Sequence, residues 1–273
     1  MGTALAYLGK GKLMIYESGG LAVGLPSRWF SSDYGMTWGN PVPIAVSSDK
    51  MAWHIWDPPL LERHPKTGKV TRLAETGYRQ SGTSSSASIR FSGDQGRTWK
   101  KSIQVPQWRG ANEVYLFRAG NGHLLAACRT DVPRRLKGKT LDHYEGLGVS
   151  ISRDDGLPWS PVKKIYDYGR HHQSLVLMPN KDIVMTYVVR LGYVDDKDGF
   201  PQFGIEAVVS HDHGVNWDLD HRYLLHVWSG KRKGETYWWP SSQSTSSTLM
   251  PDGSILTAFG TGYRIRAGKD SCL

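Results

Sequence analysis

The stretch Ser92-Gly93-Asp94-Gln95-Gly96-Arg97-Thr98-Trp99 decides the fold, because the pattern Ser-x-Asp-x-Gly-x-x-Trp occurs four times in this chain of 273 residues. The other three copies are residues 31–38, 152–159 and 210–217. Their aspartates follow one another at intervals of 61, 60 and 58 residues. A nearly fixed interval of this length is typical of folds built from repeated supersecondary units.

Each copy of the motif predicts a turn between two strands. The aspartate can accept hydrogen bonds from nearby backbone N–H groups, and the glycine tolerates a backbone conformation that other residues resist. The tryptophan can pack back between the strands and bury a large apolar surface. A catalytic residue is not needed four times, so we interpret these aspartates as structural.

The segments between the motifs share one plan of strands. In the third repeat, residues 113–117 predict a first strand, 123–129 a second, and 147–151 a third that leads into the motif. The other repeats have matching segments at 4–8 and 12–17; at 59–63, 70–77 and 86–91; at 173–178, 183–190 and 204–209; and, as the start of a fifth unit, at 248–257. Four-stranded units repeated in this way predict an all-β propeller that forms a single domain over residues 1–273, with about five blades visible.

Composition and charge narrow the classes of partner. The formal net charge is +9 and the pI is about 9.5, which favours anionic partners. The basic residues are scattered and no aromatic-basic RNA motif accompanies them, so nucleic acid is not expected. No apolar run of about 18 residues predicts a membrane span. Cys128 and Cys272 fit neither a disulfide framework nor a zinc pattern. No metal or cofactor is therefore expected. The sequence does not indicate the cellular compartment of the protein.

Strand direction predicts where a site can form. If the first strand of each blade starts on one face, the second strand ends on that face and the motif lies on the opposite one. The face without the motifs then collects charged, aromatic and histidine side chains: Glu17, Asp57, Tyr78, Arg79, Glu113, Arg129, Arg170, His171, His172, Arg190, Trp238, Trp239, Tyr263 and Arg264. This segregation is the main evidence in the sequence for a functional site.

The four motifs resemble the Asp boxes of the sialidase (neuraminidase) superfamily. The pair Asn112-Glu113, followed by Gly122 and Arg129, is similar to a sialidase element at similar intervals. The resemblance implies a six-bladed propeller, incomplete in this chain, and an exo-sialidase-like glycoside hydrolase that removes a terminal acidic sugar from a glycan. It implies that Glu113 is the glutamate that activates a tyrosine nucleophile and that Arg129 is one of three arginines that grip the substrate carboxylate.

The chain departs from the family at other catalytic positions. Ser244 stands where sialidases have the nucleophilic tyrosine, and residues 201–203 occupy the place of the third arginine. Tyr263 is a candidate nucleophile and His172 a candidate acid or base. Arg170, His171, Arg190, Asp57 and Arg264 are candidate substrate-binding residues. His171 and His172 are not expected to bind a metal, because adjacent strand residues point to opposite faces.

Three functions remain open at this level. The first is the sialidase-like hydrolase of an acidic sugar, for which arginines suit a carboxylate. The second is a glycan-binding propeller without catalysis. The third is a glycosidase that acts on another sugar and uses His171 or His172 together with Glu113.

Overall fold

The computed structural model describes residues 3–17, 26–44, 54–82, 84–136, 138, 142–192, 203–227 and 244–260. The regular structure in these ranges is β-strand, apart from two short 3₁₀ helices at Arg134–Leu136 and Asp142–Tyr144. No helix in this part of the chain is long and apolar enough to cross a membrane.

Sixteen strands form four four-stranded sheets whose strand order follows the chain. We call these sheets blades one to four. Blade one contains β1 (Thr3–Gly9), β2 (Lys12–Glu17), β3 (Ser27–Ser31) and β4 (Val42–Pro43). Blade two contains β5 (Leu60–Arg63), β6 (Val70–Ser81), β7 (Ser84–Ser92) and β8 (Ile103–Arg109). Blade three contains β9 (Ala111–Arg118), β10 (Leu124–Thr130), β11 (Gly146–Ser152) and β12 (Lys163–Tyr166). Blade four contains β13 (Arg170–Leu177), β14 (Ile183–Val189), β15 (Gly204–Ser210) and β16 (Tyr223–Val227).

A fifth unit is a two-stranded hairpin of β17 (Thr245–Leu249) and β18 (Ile255–Phe259). The all-β prediction and the four-stranded repeat are confirmed. The described residues contain four blades and this hairpin, and they do not reach the six blades of the sialidase expectation.

The chain divides into two compact units. The first contains Met1–Arg118, His123–Asp131 and Val149–Lys163, and the second contains Ala119–Gly122, Val132–Gly148 and Lys164–Leu273. The first unit contains an apolar cluster in which the indole rings of Trp108 and Trp159 lie 4.7 Å apart. In the second unit a seam of hydroxyls joins blade four to the hairpin, where the hydroxyls of Thr186 and Ser247 lie 2.7 Å apart.

The Asp boxes form the turns that the sequence predicts. Ser92 Oγ donates to Asp94 Oδ1 at 2.8 Å and accepts from the backbone N–H of Gly96 at 2.9 Å. Asp94 accepts from the backbone N–H and the hydroxyl of Thr98 at 2.9 and 2.6 Å. The indole N–H of Trp99 donates to the carbonyl of Gly96 at 3.0 Å. The first motif has the same bonds, and in all four motifs the glycine N–H donates to the serine Oγ. The indole N–H groups of Trp159 and Trp217, in the third and fourth motifs, have no hydrogen-bond partner among the described residues.

These hydrogen bonds make the Asp box sensitive to acid. The hydroxyl of Thr98, and then its backbone N–H, lower the pKa of Asp94 to about 2. A carboxyl with a lowered folded-state pKa stabilises the fold above its ordinary value of 3.8 and loses that contribution as pH falls toward 2. We expect Asp94→Asn to lower the urea midpoint of unfolding at pH 7. The difference in midpoint between Asp94→Asn and the wild-type protein should become smaller as the pH falls from 4 to 2. A difference that stays constant over this pH range would contradict the role given to the carboxylate.

Candidate functional site

Glu113 occupies a β-bulge at the start of blade three. Asn112 pairs with Arg129 and Val114 with Cys128, so Glu113 is an extra residue in β9. Its φ of 43° lies in the left-handed region, and its side chain is 4% exposed. A residue other than glycine is rarely held in this conformation, and strained backbone of this kind is concentrated at functional sites. The bulge re-aims the carboxylate away from the regular alternation of the strand.

Arg129 forms an ion pair with the Glu113 carboxylate. It stands at the end of β10, across the hairpin from the start of β9. Its guanidinium Nη1 lies 3.0 Å from Oε1 and 3.1 Å from Oε2 of Glu113. The positive charge of Arg129 offsets the desolvation of a carboxylate that is nearly inaccessible to water.

Asp57 lies beside the same part of the first unit. The segment before Asp57 runs alongside β6, because the backbone N–H of Tyr78 donates to the carbonyl of His54 at 2.9 Å. Asp57 is partly exposed as a residue, but its Oδ2 is buried and has no hydrogen-bond partner among the described residues. Burial, and then the negative charge of Glu113, raise the pKa of Asp57 well above its ordinary value of 3.8. The first unit therefore places a carboxyl that favours its protonated form near the Glu113 carboxylate.

A buried ion-pair network lies next to these residues. Glu75 on β6 is 1% exposed and accepts from Nη2 of Arg90 at 2.6 Å and from Arg28 through a short contact. The guanidiniums of Arg28 and Arg90 also lie 4.7 and 5.2 Å from the ring of Trp99. Sequence reasoning missed this network. The feature that could have indicated a buried ion pair is the charged residue Glu75 between Ala74 and Thr76, in a buried part of the strand.

Tyr16 is the second site residue that sequence reasoning missed. It lies on β2, is 1% exposed, and packs in an apolar cluster with Ile44 and Ile55. Burial, and then the negative charges of Asp57 and Glu75, raise the pKa of its hydroxyl, which keeps the phenol neutral. The alternation of β2 identifies Tyr16 as a core residue, but nothing in the sequence relates it to Asp57.

A cleft of about 300 Å³ in the first unit lies beside the first Asp box. Leu8, Lys12, Phe30 and Arg97 contribute to its lining, and none of its lining residues is acidic. The paired carboxyls of Asp57 and Glu113 therefore lie outside the lining of this cleft.

In the second unit, Arg170 is fully buried against an internal carboxylate. Its Nε lies 3.1 Å from Oε2 of Glu206, and both side chains are 0% exposed. The Tyr187 hydroxyl donates to the same oxygen at 3.1 Å, and the hydroxyls of Tyr166 and Tyr187 are 2.7 Å apart. The Glu206 carboxylate thus accepts hydrogen bonds from Arg170 and Tyr187, and these buried bonds stabilise the core of blade four.

His171 and His172 form a second bulge at the start of β13. His171 pairs with Val188 and Ser174 with Thr186, so the register shifts between the two pairs, and His172 has a φ of 55°. The two imidazole rings lie edge to face with centroids 4.4 Å apart. The expectation that adjacent strand residues point to opposite faces is wrong here, because the bulge breaks the alternation. His172 holds in blade four the position that Glu113 holds in blade three.

The predicted site residues thus fall into three groups. Asp57, Glu113 and Arg129 lie together in the first unit. Arg170, His171, His172 and the buried Arg190 belong to the second unit. Glu17, Tyr78 and Arg79 also belong to the first unit, whereas the last candidates lie outside the described residues: Trp238, Trp239, Tyr263 and Arg264. Among the described residues, no group of three or more histidines, cysteines, aspartates or glutamates could hold a metal ion.

Several solved structures of glycoside hydrolases are similar to this chain. An α-L-arabinanase of Penicillium chrysogenum in complex with arabinobiose has a TM-score of 0.61 and 16% identity over 94% of this chain and 74% of its own. A GH93 α-L-arabinofuranosidase of Fusarium graminearum with arabinobiose has a TM-score of 0.58 and 16% identity over 94% and 73% of the two chains. A Hadza microbial sialidase has a TM-score of 0.57 and 15% identity over 94% and 52%. These likenesses support a β-propeller fold of the kind found in glycosidases.

The likeness does not extend to a sequence family. No family model matches the chain, and no curated protein matches it. At 16% identity or less, the similar structures show the fold alone.

The Glu75 network gives a test of how the first unit holds its buried charge. We expect Glu75→Gln to lower the free energy of unfolding by about 3–5 kcal/mol, because two buried guanidiniums lose their shared counter-charge. Glu62→Gln is the matched control, since Glu62 also binds two guanidiniums, those of Arg72 and Arg118, but both are partly exposed and keep Asp155 as a partner, so the loss should be smaller. Urea unfolding of both variants measures the difference. Equal effects would contradict the buried role of Glu75.

Proposed function

We propose that the protein is a glycoside hydrolase in which Asp57 is the general acid and Glu113 is the second carboxylate. The observation that carries this proposal is the contrast between the two carboxyls: Asp57 favours its proton, whereas Arg129 neutralises the charge of Glu113. Most glycoside hydrolases cleave the glycosidic bond with two carboxyl groups whose environments differ in this way.

In the proposed reaction, Asp57 transfers its proton to the oxygen of the leaving group as the glycosidic bond breaks. Glu113 then faces the developing positive charge of the sugar, either as a nucleophile or as the base that activates water. The Arg129 guanidinium holds the Glu113 carboxylate in one direction by the contacts at 3.0 and 3.1 Å. The bulge at Glu113 fixes the backbone from which the carboxylate projects.

The charge pairing favours a neutral sugar as substrate. In the first unit, Arg28 and Arg90 bind Glu75, and Arg129 binds Glu113. A substrate carboxylate would compete with each of these internal partners. The arabinobiose bound in the similar arabinanase and arabinofuranosidase structures is a neutral disaccharide, which agrees with this choice.

A terminal acidic sugar is the second candidate substrate. The match of Asn112-Glu113, Gly122 and Arg129 to the sialidase element and the net charge of +9 favour it. That reading keeps for Glu113 and Arg129 the roles that the resemblance implies.

Aryl glycosides separate the candidates. We expect release of the aryl alcohol from an aryl α-L-arabinofuranoside to exceed release from an aryl sialoside. Glu113→Gln and Asp57→Asn should each reduce kcat/KM by about 10²–10⁴-fold, the usual contribution of an acid or base. Glu62→Gln, which removes an ion-paired carboxylate without a proposed chemical role, should retain the wild-type rate.

The leaving group distinguishes the two carboxyls. A dinitrophenyl glycoside needs little protonation, so Asp57→Asn should impair its cleavage much less than that of a disaccharide. Glu113→Gln should impair both substrates alike. Glycan binding that survives both substitutions, with no turnover of any substrate by the wild-type protein, would instead identify a glycan-binding propeller and overturn the hydrolase.

A further inference from the structure

The bulge at Glu113 is held from both sides by blade two. Glu113 has a φ of 43°, and a residue other than glycine keeps a left-handed backbone only where its surroundings impose it. On one side, Nδ2 of Asn112 donates to Oγ of Ser85 at 3.1 Å. On the other side, the hydroxyl of Thr76 donates to the backbone carbonyl of Val114 at 2.6 Å. The two residues that flank Glu113 are therefore each tied to a side chain of the preceding blade.

Both hydrogen bonds lie in the interior of the first unit. Asn112, Ser85 and Thr76 are all buried. Thr76 lies on β6 and Ser85 on β7, which are paired strands of one sheet, so both contacts come from the same support. A buried hydrogen bond is costly to break, because no water replaces the lost partner. The two contacts can therefore hold a strained backbone in place.

The backbone of Ser85 is itself fixed by a ring of three hydrogen bonds. Its N–H donates to Oδ2 of Asp131 at 2.8 Å, and its carbonyl accepts from the N–H of Gly110 at 2.8 Å. The N–H of Asp131 donates to the carbonyl of Gly110 at 2.9 Å, which closes the ring. Asp131 directly follows β10, the strand that carries Arg129. The ring thus connects the support of the bulge to the strand that supplies the ion-pair partner of Glu113.

We propose that Thr76 and Ser85 are positioning residues, whose hydrogen bonds keep Glu113 in its left-handed conformation and thereby aim its carboxylate. This inference rests on the proposed function, in which Glu113 is the second carboxylate. The Arg129 contacts at 3.0 and 3.1 Å fix the carboxylate end of the side chain, and the two contacts from blade two fix its backbone end. A carboxylate held at both ends keeps its direction when a sugar binds.

The backbone of residue 113 is the first quantity to measure. A positive φ brings the amide proton of a residue close to its own Hα, which gives a strong nuclear Overhauser effect between the two protons in NMR spectra. We expect this signal of Glu113 to weaken in Thr76→Val, which replaces the hydroxyl by a methyl group of similar size, and in Ser85→Ala. Thr76→Ser keeps the hydroxyl and should keep the signal.

Two control variants remove hydroxyls from the same strands. Thr71→Val deletes a hydroxyl on β6 that donates to the carbonyl of Glu62 at 3.2 Å in an exposed position. Ser86→Ala changes the residue that follows Ser85 on β7. Among the described residues, neither hydroxyl binds a neighbour of Glu113, so both controls should retain the wild-type signal.

The opposite results overturn the positioning role. If the signal of Glu113 stays at its wild-type strength in both Thr76→Val and Ser85→Ala, other contacts hold the bulge and the inference is wrong. A lower urea midpoint of unfolding without a change in that signal would show that the two hydroxyls have a structural role alone, which also contradicts the inference.

Kinetics separates this inference from the proposed function. In an active enzyme, Thr76→Val and Ser85→Ala should each lower kcat about tenfold and change KM less than about twofold, because a displaced carboxylate impairs the chemical step more than binding. Thr76→Ser should restore kcat. An active enzyme whose kcat falls in neither variant would support the hydrolase and overturn the inference. A wild-type protein that hydrolyses no glycoside would overturn the hydrolase, and the expected NMR response would still support the positioning of Glu113 by Thr76 and Ser85.

Discussion

The buried carboxylate of Glu75 is the constraint on which the first unit depends. It lies on β6 of blade two and receives Arg28 from blade one and Arg90 from its own blade. An uncompensated charge in this position would be strongly destabilising, whereas the complete set is tolerated because each charge has a partner. The network therefore fixes β3 against β6 and β7. Tyr16 lies directly across from Arg28 on β2, so the position of the phenol depends on the same ion pairs.

The second constraint is the bulge at the third residue of the first strand. In blades three and four this residue has a left-handed backbone, at Glu113 and at His172. Among the described residues other than glycine, the remaining positive φ values belong to hairpin turns and to the Asp boxes. The repeated blade thus carries two kinds of irregularity with different purposes. The Asp box closes a turn after the third strand of the blade, whereas the bulge presents a polar side chain near the start of the first strand.

The sequence predicts the repeated parts of this structure well and the unique parts poorly. Four motifs at intervals of 61, 60 and 58 residues predict the blades, because the serine of each motif accepts a hydrogen bond from the glycine N–H of its own turn. The positions of Glu113 and Arg129 follow from strand direction alone. The edge-to-face contact of His171 and His172 could not be foreseen, because a bulge inserts a residue without a signal in the periodicity. The effect of the Asp57 and Glu75 charges on Tyr16 could not be foreseen either, since only the folded chain brings these residues near one another.

The charge balance around Asp57 bears on its proposed role. In the first unit, Arg28, Arg90 and Arg129 face Glu75 and Glu113, which leaves one positive charge on this group of residues. A protonated Asp57 is neutral and adds nothing to the balance. In the proposed reaction it gives up its proton to a leaving group and becomes a carboxylate, and the surplus positive charge then has a partner. An acid in a buried site must both hold its proton at rest and tolerate the charge that remains after transfer. Burial and the proximity of Glu113 supply the first property, and the excess of arginine supplies the second.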